Sequence, residues 1–542
     1  MKIENLDHLG LVAGLVDELG LVELTDDLLG RHSLNHISPG QVLKAMILNG
    51  LGFVSAPLYL FSEFFEGKPV EHLLGPGITA AHLNDDRLGR VLDQLFASGT
   101  TLFFFKVAMQ AVQRFEVSVS QCHLDSSSFG LDGKYPSVNG SAGEGEAEPT
   151  APQAIEICRG YSRDHRPDLN QFLVNLISSG DGGIPVWLVI GSGNETDSQT
   201  FGGLVTAFCE HWAPPELMVA DAALFSKANL QQMGSLSWLS RVPQTLKAAQ
   251  SLVDSSLESL TEMPCELEGY RLWEQRQSYG GVEQRWILVE SPHQQQSDAW
   301  LKPLEKQENG LNRQLRQLCS QVFACKPDAM EALMRFQDSL SGYTLSQVSL
   351  VSVPAKRAPG RPKQAEADTP KKIGYQWQAT LERKAEYEAQ CKQRHQRFIL
   401  ATNVLDEQAY PAERLLREYK DQQKVERGFR FLKDPLFFTS SVFVKKPQRV
   451  EALALVMALT LLVYSLGQRQ LRAQLAQTNE TVLDQKRRPT RTPTFRWILQ
   501  KFQAIHLVSM NAVVEQVSNL SAERSKIIRL MGFPACRYYL LN

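Results

Sequence analysis

The chain has 542 residues, 43% of them hydrophobic, and 57 Lys and Arg stand against 59 Asp and Glu. That length exceeds what one core can serve, so three or four domains are expected. A net charge of −2 excludes a uniformly basic nucleic-acid binder but leaves room for local basic patches.

The eight cysteines are scattered; Cys319 and Cys325 are the nearest pair, and no histidine or second pair beside them completes a zinc pattern. They read as free thiols of a reducing cytosol. Met1 to Asp7 lacks a basic segment followed by an apolar one, so no signal peptide is read and a cytoplasmic location is expected.

Residues 1–115 read as a helical domain with possible DNA-binding use. Leu9 to Leu19 and Pro39 to Leu48 repeat apolar residues at helical spacing, with Ser38 as cap. A further helix starts at Asn84 and runs through Leu88, Val91, Leu92 and Leu95. From 116 to 241 the pattern becomes that of an α/β core. Val117 to Asp125 alternates and reads as a strand ending in an acid. Gly130 to Thr150 is a Gly-, Ser- and Glu-rich loop, partly disordered by composition. Two apolar runs, Gln171 to Ile177 and Ile184 to Ile190, form a hairpin. Helix (198–211), strand (Glu216 to Asp221), helix (223–233) and strand (Trp238 to Arg241) follow.

Residues 242–394 read as an inserted β-rich domain. Strands flank Gly280 and Gly281, two helices fill 294–340, and the segment 355–373 is a basic, Pro-rich linker expected to be unfolded. The core resumes over 395–470, with a buried strand at Arg397 to Asn403 and a helix carrying Tyr419. Ala452 to Leu466 is apolar but, at about 15 residues, short of the ~20 needed to span a bilayer; it reads as a buried helix, and no membrane partner is expected. Residues 471–542 form a C-terminal helical region.

On a helix, residues advance about 100° each. Relative to Tyr419, this places Gln422 near about −60°, Glu426 near about −20° and Lys433 near about −40°. An aromatic, an amide, a carboxylate and an ammonium thus share one stripe. Two strand-end aspartates, Asp125 and Asp221, together with Glu426 make a hard-oxygen set suited to Mg²⁺ or Mn²⁺. Two such ions would serve an in-line displacement at phosphorus. Taken singly, each acid is as well explained as a turn former, a helix cap or a solvated side chain.

In order along the chain, His123 to Phe129, Gly160 to Gln171, Val219 to Ser226, Trp238 to Pro243 and the Tyr419 to Lys433 helix resemble bacterial insertion-sequence DDE transposases. The superfamily resembled is that of insertion sequence four, with its Tyr-x2-Arg-x3-Glu-x6-Lys signature. One position departs: Gln422 stands where the signature has Arg. The resemblance implies an RNase H-like α/β core and a β insertion before the glutamate. It also implies two Mg²⁺ (or Mn²⁺) ions on Asp125, Asp221 and Glu426, and cleavage and joining of terminal inverted repeats to target DNA. It implies phosphate contacts by Tyr419 and Lys433. A homodimer or larger assembly on DNA follows from the need to join two ends.

Gln422 retains a hydrogen-bond donor but no guanidinium fork, and Lys420, Lys424 or Arg427 is the candidate to compensate. His165 and Arg166 read as neighbours of the acids or DNA contacts. Arg361 and Lys363 have the form of an AT-hook core, a charged linker being the plainer reading. Lys486, Arg487, Arg488 and Arg491 make a basic segment, for DNA backbone or for solvent. Trp273 and Trp286 are candidate stacking wedges for a DNA hairpin, or sheet core. An RNase H-like nuclease without strand transfer and a catalytically silent DNA-binding protein are the alternatives.

Overall fold

A computed structural model describes residues 1–31, 36–53, 61–133, 135, 153–164, 166–255, 257, 260–292, 298–354, 373–434, 444–510 and 513–541. The AT-hook-like Arg361 and Lys363, and His165, lie outside them.

Nine strands form the central sheet: β1 (Gln121–Leu131), β2 (Asn170–Ser179), β3 (Pro185–Ser192), β4 (Leu217–Ala220), β5 (Trp238–Arg241), β6 (Thr261–Met263), β7 (Arg271–Tyr279), β8 (Val282–Glu290) and β9 (Arg397–Thr402). Their order across the sheet is 3-2-1-4-5-9-8-7-6. β1 is antiparallel to β2 and parallel to β4, and β4 is parallel to β5. The return strand β9 is antiparallel to both β5 and β8. The β2–β3 hairpin, the Trp238–Arg241 strand and the strand beginning at Arg397 fall where the apolar runs place them.

β2 is buried along nearly its whole length because both faces are covered. Its alternate residues Phe172, Val174 and Leu176 enter the core shared with the helical domain, whereas Ile177 enters the core under the Asp197–His211 helix.

Three expectations change. β1 does not end at Asp125; it continues to Leu131, because β2 keeps pairing with it through Leu131↔Asn170. The β7–β8 hairpin, assigned to the insertion, extends the main sheet instead through β8 against β9. Its two-residue connection, Gly280 and Gly281, has φ of +67° and +83°, the left-handed pair a tight primed turn demands. What stands apart is 298–354 with 373–396: helices Leu301–Ser320, Lys326–Asp338 and Ala385–Gln396 around the antiparallel pair Tyr343–Pro354 and Ile373–Arg383, with small cores of their own.

The third change concerns the apolar run at Ala452. It lies inside one 31-residue helix, Pro447–Gln477, which crosses the boundary drawn at 470. The helix is long and apolar enough to cross a membrane, yet 89% of its apolar window is buried within the protein. It packs against helices Leu9–Leu19, Pro39–Gly50, Asp85–Ala97 and Thr100–Arg114 and against β3, so the N-terminal helices and the sheet share it as a core. Ser38 and Asn84 cap two of these helices as read. At Gly467 a Cβ would lie 2.5 Å from Phe495 Cζ and 2.7 Å from Leu15 Cδ1. Only glycine lets the N-terminal helix, the long helix and the C-terminal region meet there.

This shared core also sets an acid limit. His8 is buried, its Nε2 lies 2.7 Å from the Leu51 carbonyl, and burial pushes its pKa down to about 4. A folded-state value below the unfolded ~6.5 means that the unfolded chain binds the extra proton first. Stability is therefore expected to fall as pH drops from 6.5 through 4, by up to roughly 3 kcal/mol. Melting curves across that window test this, and His8→Gln should flatten the slope.

Candidate active site

The register of two parallel strands builds the site. Leu124 of β1 is paired with Ala220 of β4, so the next residues, Asp125 and Asp221, are side by side where β4 ends and β1 runs on. Such neighbours are about 4.8 Å apart across the sheet. Asp125 is 7% exposed and its Oδ1 accepts from the Ser126 amide at 2.8 Å. Asp221 leaves the sheet as a helix cap, Oδ1 accepting from Ala223 N at 2.9 Å, while its carbonyl accepts from the Ser240 hydroxyl at 2.8 Å. Burial pushes the Asp125 pKa up to about 7; Arg163 opposes the shift and the Asp221 charge adds to it. Two carboxylates pressed together in a desolvated place form a site whose ionised state calls for a cation.

Arg163 supplies part of that charge. Its Nη1 donates to the Ser126 carbonyl and lies 3.4 Å from Asp125 Oδ1. The residue is in the Gly160–Gln171 segment, where the sequence pattern singles out only His165 and Arg166. Arg166 itself is exposed and forked onto Asp168 at 2.8–3.3 Å.

The third acid stands off. The Tyr419–Lys433 segment is two helices, Ala412–Asp421 and Gln423–Leu432, separated at Gln422. Glu426 is in the first turn of the second helix and is exposed. Among the described residues no three His, Cys, Asp or Glu side chains gather closely enough to hold a metal ion.

The break also alters the expected stripe. Gln422 points inward, 5% exposed, with its amide oxygen lacking a hydrogen-bond partner among the described residues; it is not presented for a phosphate. Tyr419 faces the acids: burial raises its pKa, Arg241 opposes, and Asp221 and then Glu426 push further upward. Arg241, at the end of β5, stacks its guanidinium 5.3 Å from the Phe398 ring centre, and nothing in the sequence pattern marks its part in this corner. Lys433 reaches across to β1, with Nζ 5.4 Å from the Phe129 ring centre and 2.8–2.9 Å from both oxygens of Asp164. Arg427 points away from this corner, into a separate cavity.

Trp273 and Trp286 are each 1% exposed and belong to the sheet core, so neither is presented as a wedge. Lys420 lies 4.4 Å from the Tyr270 ring centre. Arg487, Arg488 and Arg491 are exposed around the short Val482–Leu483 and Pro489–Thr490 pair.

The sheet and its acids define an α/β protein with a carboxylate-centred site. Residues 146–463, more than half of the chain, match the family described as Transposase DDE domain, and residues 1–109 match a domain of unknown function, DUF4277. The chain therefore belongs to the DDE transposases: it is a DNA transposase, an enzyme. The matched segment contains Asp221 and Glu426, and Asp125 precedes it, so Asp125 rests on the strand register alone. No curated protein matches the chain. A solved structure, the piggyBac transposase synaptic complex with hairpin DNA, aligns with 92% of this chain and 79% of that one at 8% identity and a TM-score of 0.35.

Proposed function

We propose that the protein is a transposase of the insertion sequence four superfamily, which recognises terminal inverted repeats and both cleaves and transfers their strands. In this reading Asp125, Asp221 and Glu426 hold two Mg²⁺ or Mn²⁺ ions. The observation that carries it is the parallel register setting Asp125 beside Asp221, within a sheet whose first five strands run 3-2-1-4-5 with only the second antiparallel to its neighbours. That order fits an RNase H-like core.

The donor set fits hard divalent cations: carboxylate oxygens only, with Asp125 pushed up to about 7 by burial and further by the Asp221 charge, against Arg163. Bound there, such ions would polarise the scissile phosphodiester and favour the ionised form of the attacking hydroxyl. Glu426 joins the pair when the Gln423–Leu432 helix moves as a unit about Gln422, the residue at which the Ala412–Asp421 and Gln423–Leu432 helices divide. Tyr419 and Lys433 flank the acids and would hold DNA phosphates, Lys433 exchanging Asp164 for a phosphate oxygen. Joining two ends requires two active sites, so a homodimer or larger assembly forms on DNA, in the bacterial cytoplasm.

The test is incubation of the purified protein with terminal-repeat DNA, target plasmid and Mg²⁺. Joined products are expected. Nicks without joining would replace the reading with a nuclease, and binding without either would replace it with a silent DNA-binding protein.

A further inference from the structure

Beside the acids, on another face of the Gln423–Leu432 helix, lies a cavity of about 610 Å³. Three remote stretches build it: the β2–β3 turn, this helix, and the long helix with Thr494 and Arg496. Five guanidiniums line it (Arg427, Arg430, Arg469, Arg472 and Arg496) against two carboxylates, Asp181 and Asp434.

Both carboxylates are already engaged. Arg469 forks onto Asp181 at 2.6–2.9 Å and Arg496 pairs with Asp434. Among the described residues Arg427, Arg430 and Arg472 have no carboxylate partner. Arg472 is fixed rather than loose: its Nε and Nη2 donate to the carbonyls of Pro493 and Thr492 at 2.8 and 3.3 Å, leaving Nη1 for something else. Its pKa is lowered, first by burial; Tyr464 offsets this, and the Arg427 charge lowers it again. Like charges have thus been brought together in a half-buried hollow. The floor between them is apolar, made by Leu461 and the rings of Phe431 and Tyr464, tilted 31° to each other with 4.3 Å between centres.

Guanidiniums gathered around Arg472, itself held by backbone carbonyls, match phosphate oxygens, and an anion would relieve the repulsion. The volume exceeds what an inorganic ion fills, and the apolar floor suits a flat ring. We propose that this cavity is a nucleotide subsite, taking a phosphate on Arg427, Arg430 and Arg472 and its base on the Phe431–Tyr464 floor. Resting on the transposase reading, it would grip a DNA strand one helix face away from Glu426. A strand and a free nucleotide share this chemistry.

The test uses the full chain without added metal and a labelled single-stranded oligonucleotide lacking any repeat sequence, followed by fluorescence anisotropy against salt. Arg430→Gln combined with Arg472→Gln is expected to weaken binding at least tenfold and to reduce the salt slope by about 0.7 for each phosphate that is no longer neutralised. Arg430→Gln alone, at an exposed position without a carboxylate partner among the described residues, keeps the test valid should the Arg472 change impair folding; it is expected to weaken binding at least threefold. Arg335→Gln, on the outlying Lys326–Asp338 helix, should change neither quantity. Thermal protection by deoxyadenosine monophosphate, lost in the variants, would assign the subsite to single nucleotides; response to the oligonucleotide alone would assign it to a strand. Unchanged affinity and salt slope in the folded Arg430 variant would overturn the proposal. Because no cleavage is read, failure of transposition on repeat DNA would be a separate result.

Discussion

Asp125→Asn is expected to abolish strand cleavage while raising the melting temperature of the metal-free protein at pH 8. The loss should be at least a thousandfold, because a neutral amide binds a hard cation far more weakly than a carboxylate does. The gain has a worked sign. Folded Asp125 has a pKa of about 7, raised chiefly by burial and further by Asp221, whereas the unfolded value is about 3.9. Its contribution to stability is fully present below about pH 3.9 and is lost as pH rises through 7. At pH 8 the ionised side chain costs on the order of 4 kcal/mol, which the neutral isostere removes. Calorimetry of both proteins should show a gap of about 1.5 kcal/mol at pH 5 that widens to about 4 kcal/mol at pH 8. Adding Mn²⁺ should close it by stabilising the wild type alone, more at pH 8 than at pH 5. A variant that melts with the wild type at every pH would mean that the pair is not strained. A variant that still cleaves would remove Asp125 from the site. Asp221→Ala and Glu426→Ala should match its loss of cleavage and retain DNA binding.

Why is this pair legible in the chain while its surroundings are not? Trp238–Arg241 and the β2–β3 hairpin are short apolar runs bounded by turn residues, and their burial on both faces makes the pattern unambiguous. Asn84 and Ser38 announce helix starts through local hydrogen bonds, which depend on a few neighbouring residues only. Asp125 is found by its alternating run, but its place in the strand is not: Ser126, Ser127 and Ser128 break the apolar alternation, yet all three are buried within β1, paired with β2. The hairpin at Gly280 is visible; its membership of the central sheet depends on β9, more than a hundred residues later. The ideal helix through Tyr419 divides at Gln422. Projecting side chains at 100° per residue gives their direction about the axis but not their burial: Gln422, with φ −55° and ψ −26°, is 5% exposed, whereas Glu426 one turn on is exposed. The arginine cavity cannot be read from the chain at all, since its cations come from residues 427 to 496 and converge only when the long helix packs.

That long-range dependence makes Arg285 the most exacting position outside the acids. It is fully buried on β8, where it forks onto Glu274 of β7 at 2.6 and 2.8 Å. Its third nitrogen, Nη1, donates to the carbonyls of Tyr410, Val404 and Asp406 at 2.8, 3.3 and 3.4 Å. Those carbonyls belong to the loop leading from β9 into the Ala412–Asp421 helix, the helix that carries Tyr419 and precedes Glu426. One side chain therefore ties the distal hairpin to the entrance of the Ala412–Asp421 helix. Arg285→Leu is expected to cost about 3–5 kcal/mol, since it leaves Glu274 as a buried charge without its partner and several carbonyls unsatisfied. At about 2–4 °C per kcal/mol for a domain of 150–250 residues, melting should fall by roughly 6–20 °C. Arg285→Lys restores charge but not the fork, and should recover part of the loss. The decisive comparison is the double change Arg285→Met with Glu274→Met. If an unpaired charge is what destabilises the single variant, removing both partners should return most of the stability. Cleavage should nevertheless stay impaired, because no donor then holds the loop at Tyr410. Full recovery of cleavage in the double variant would show that the loop needs no such tie and that Arg285 serves stability alone.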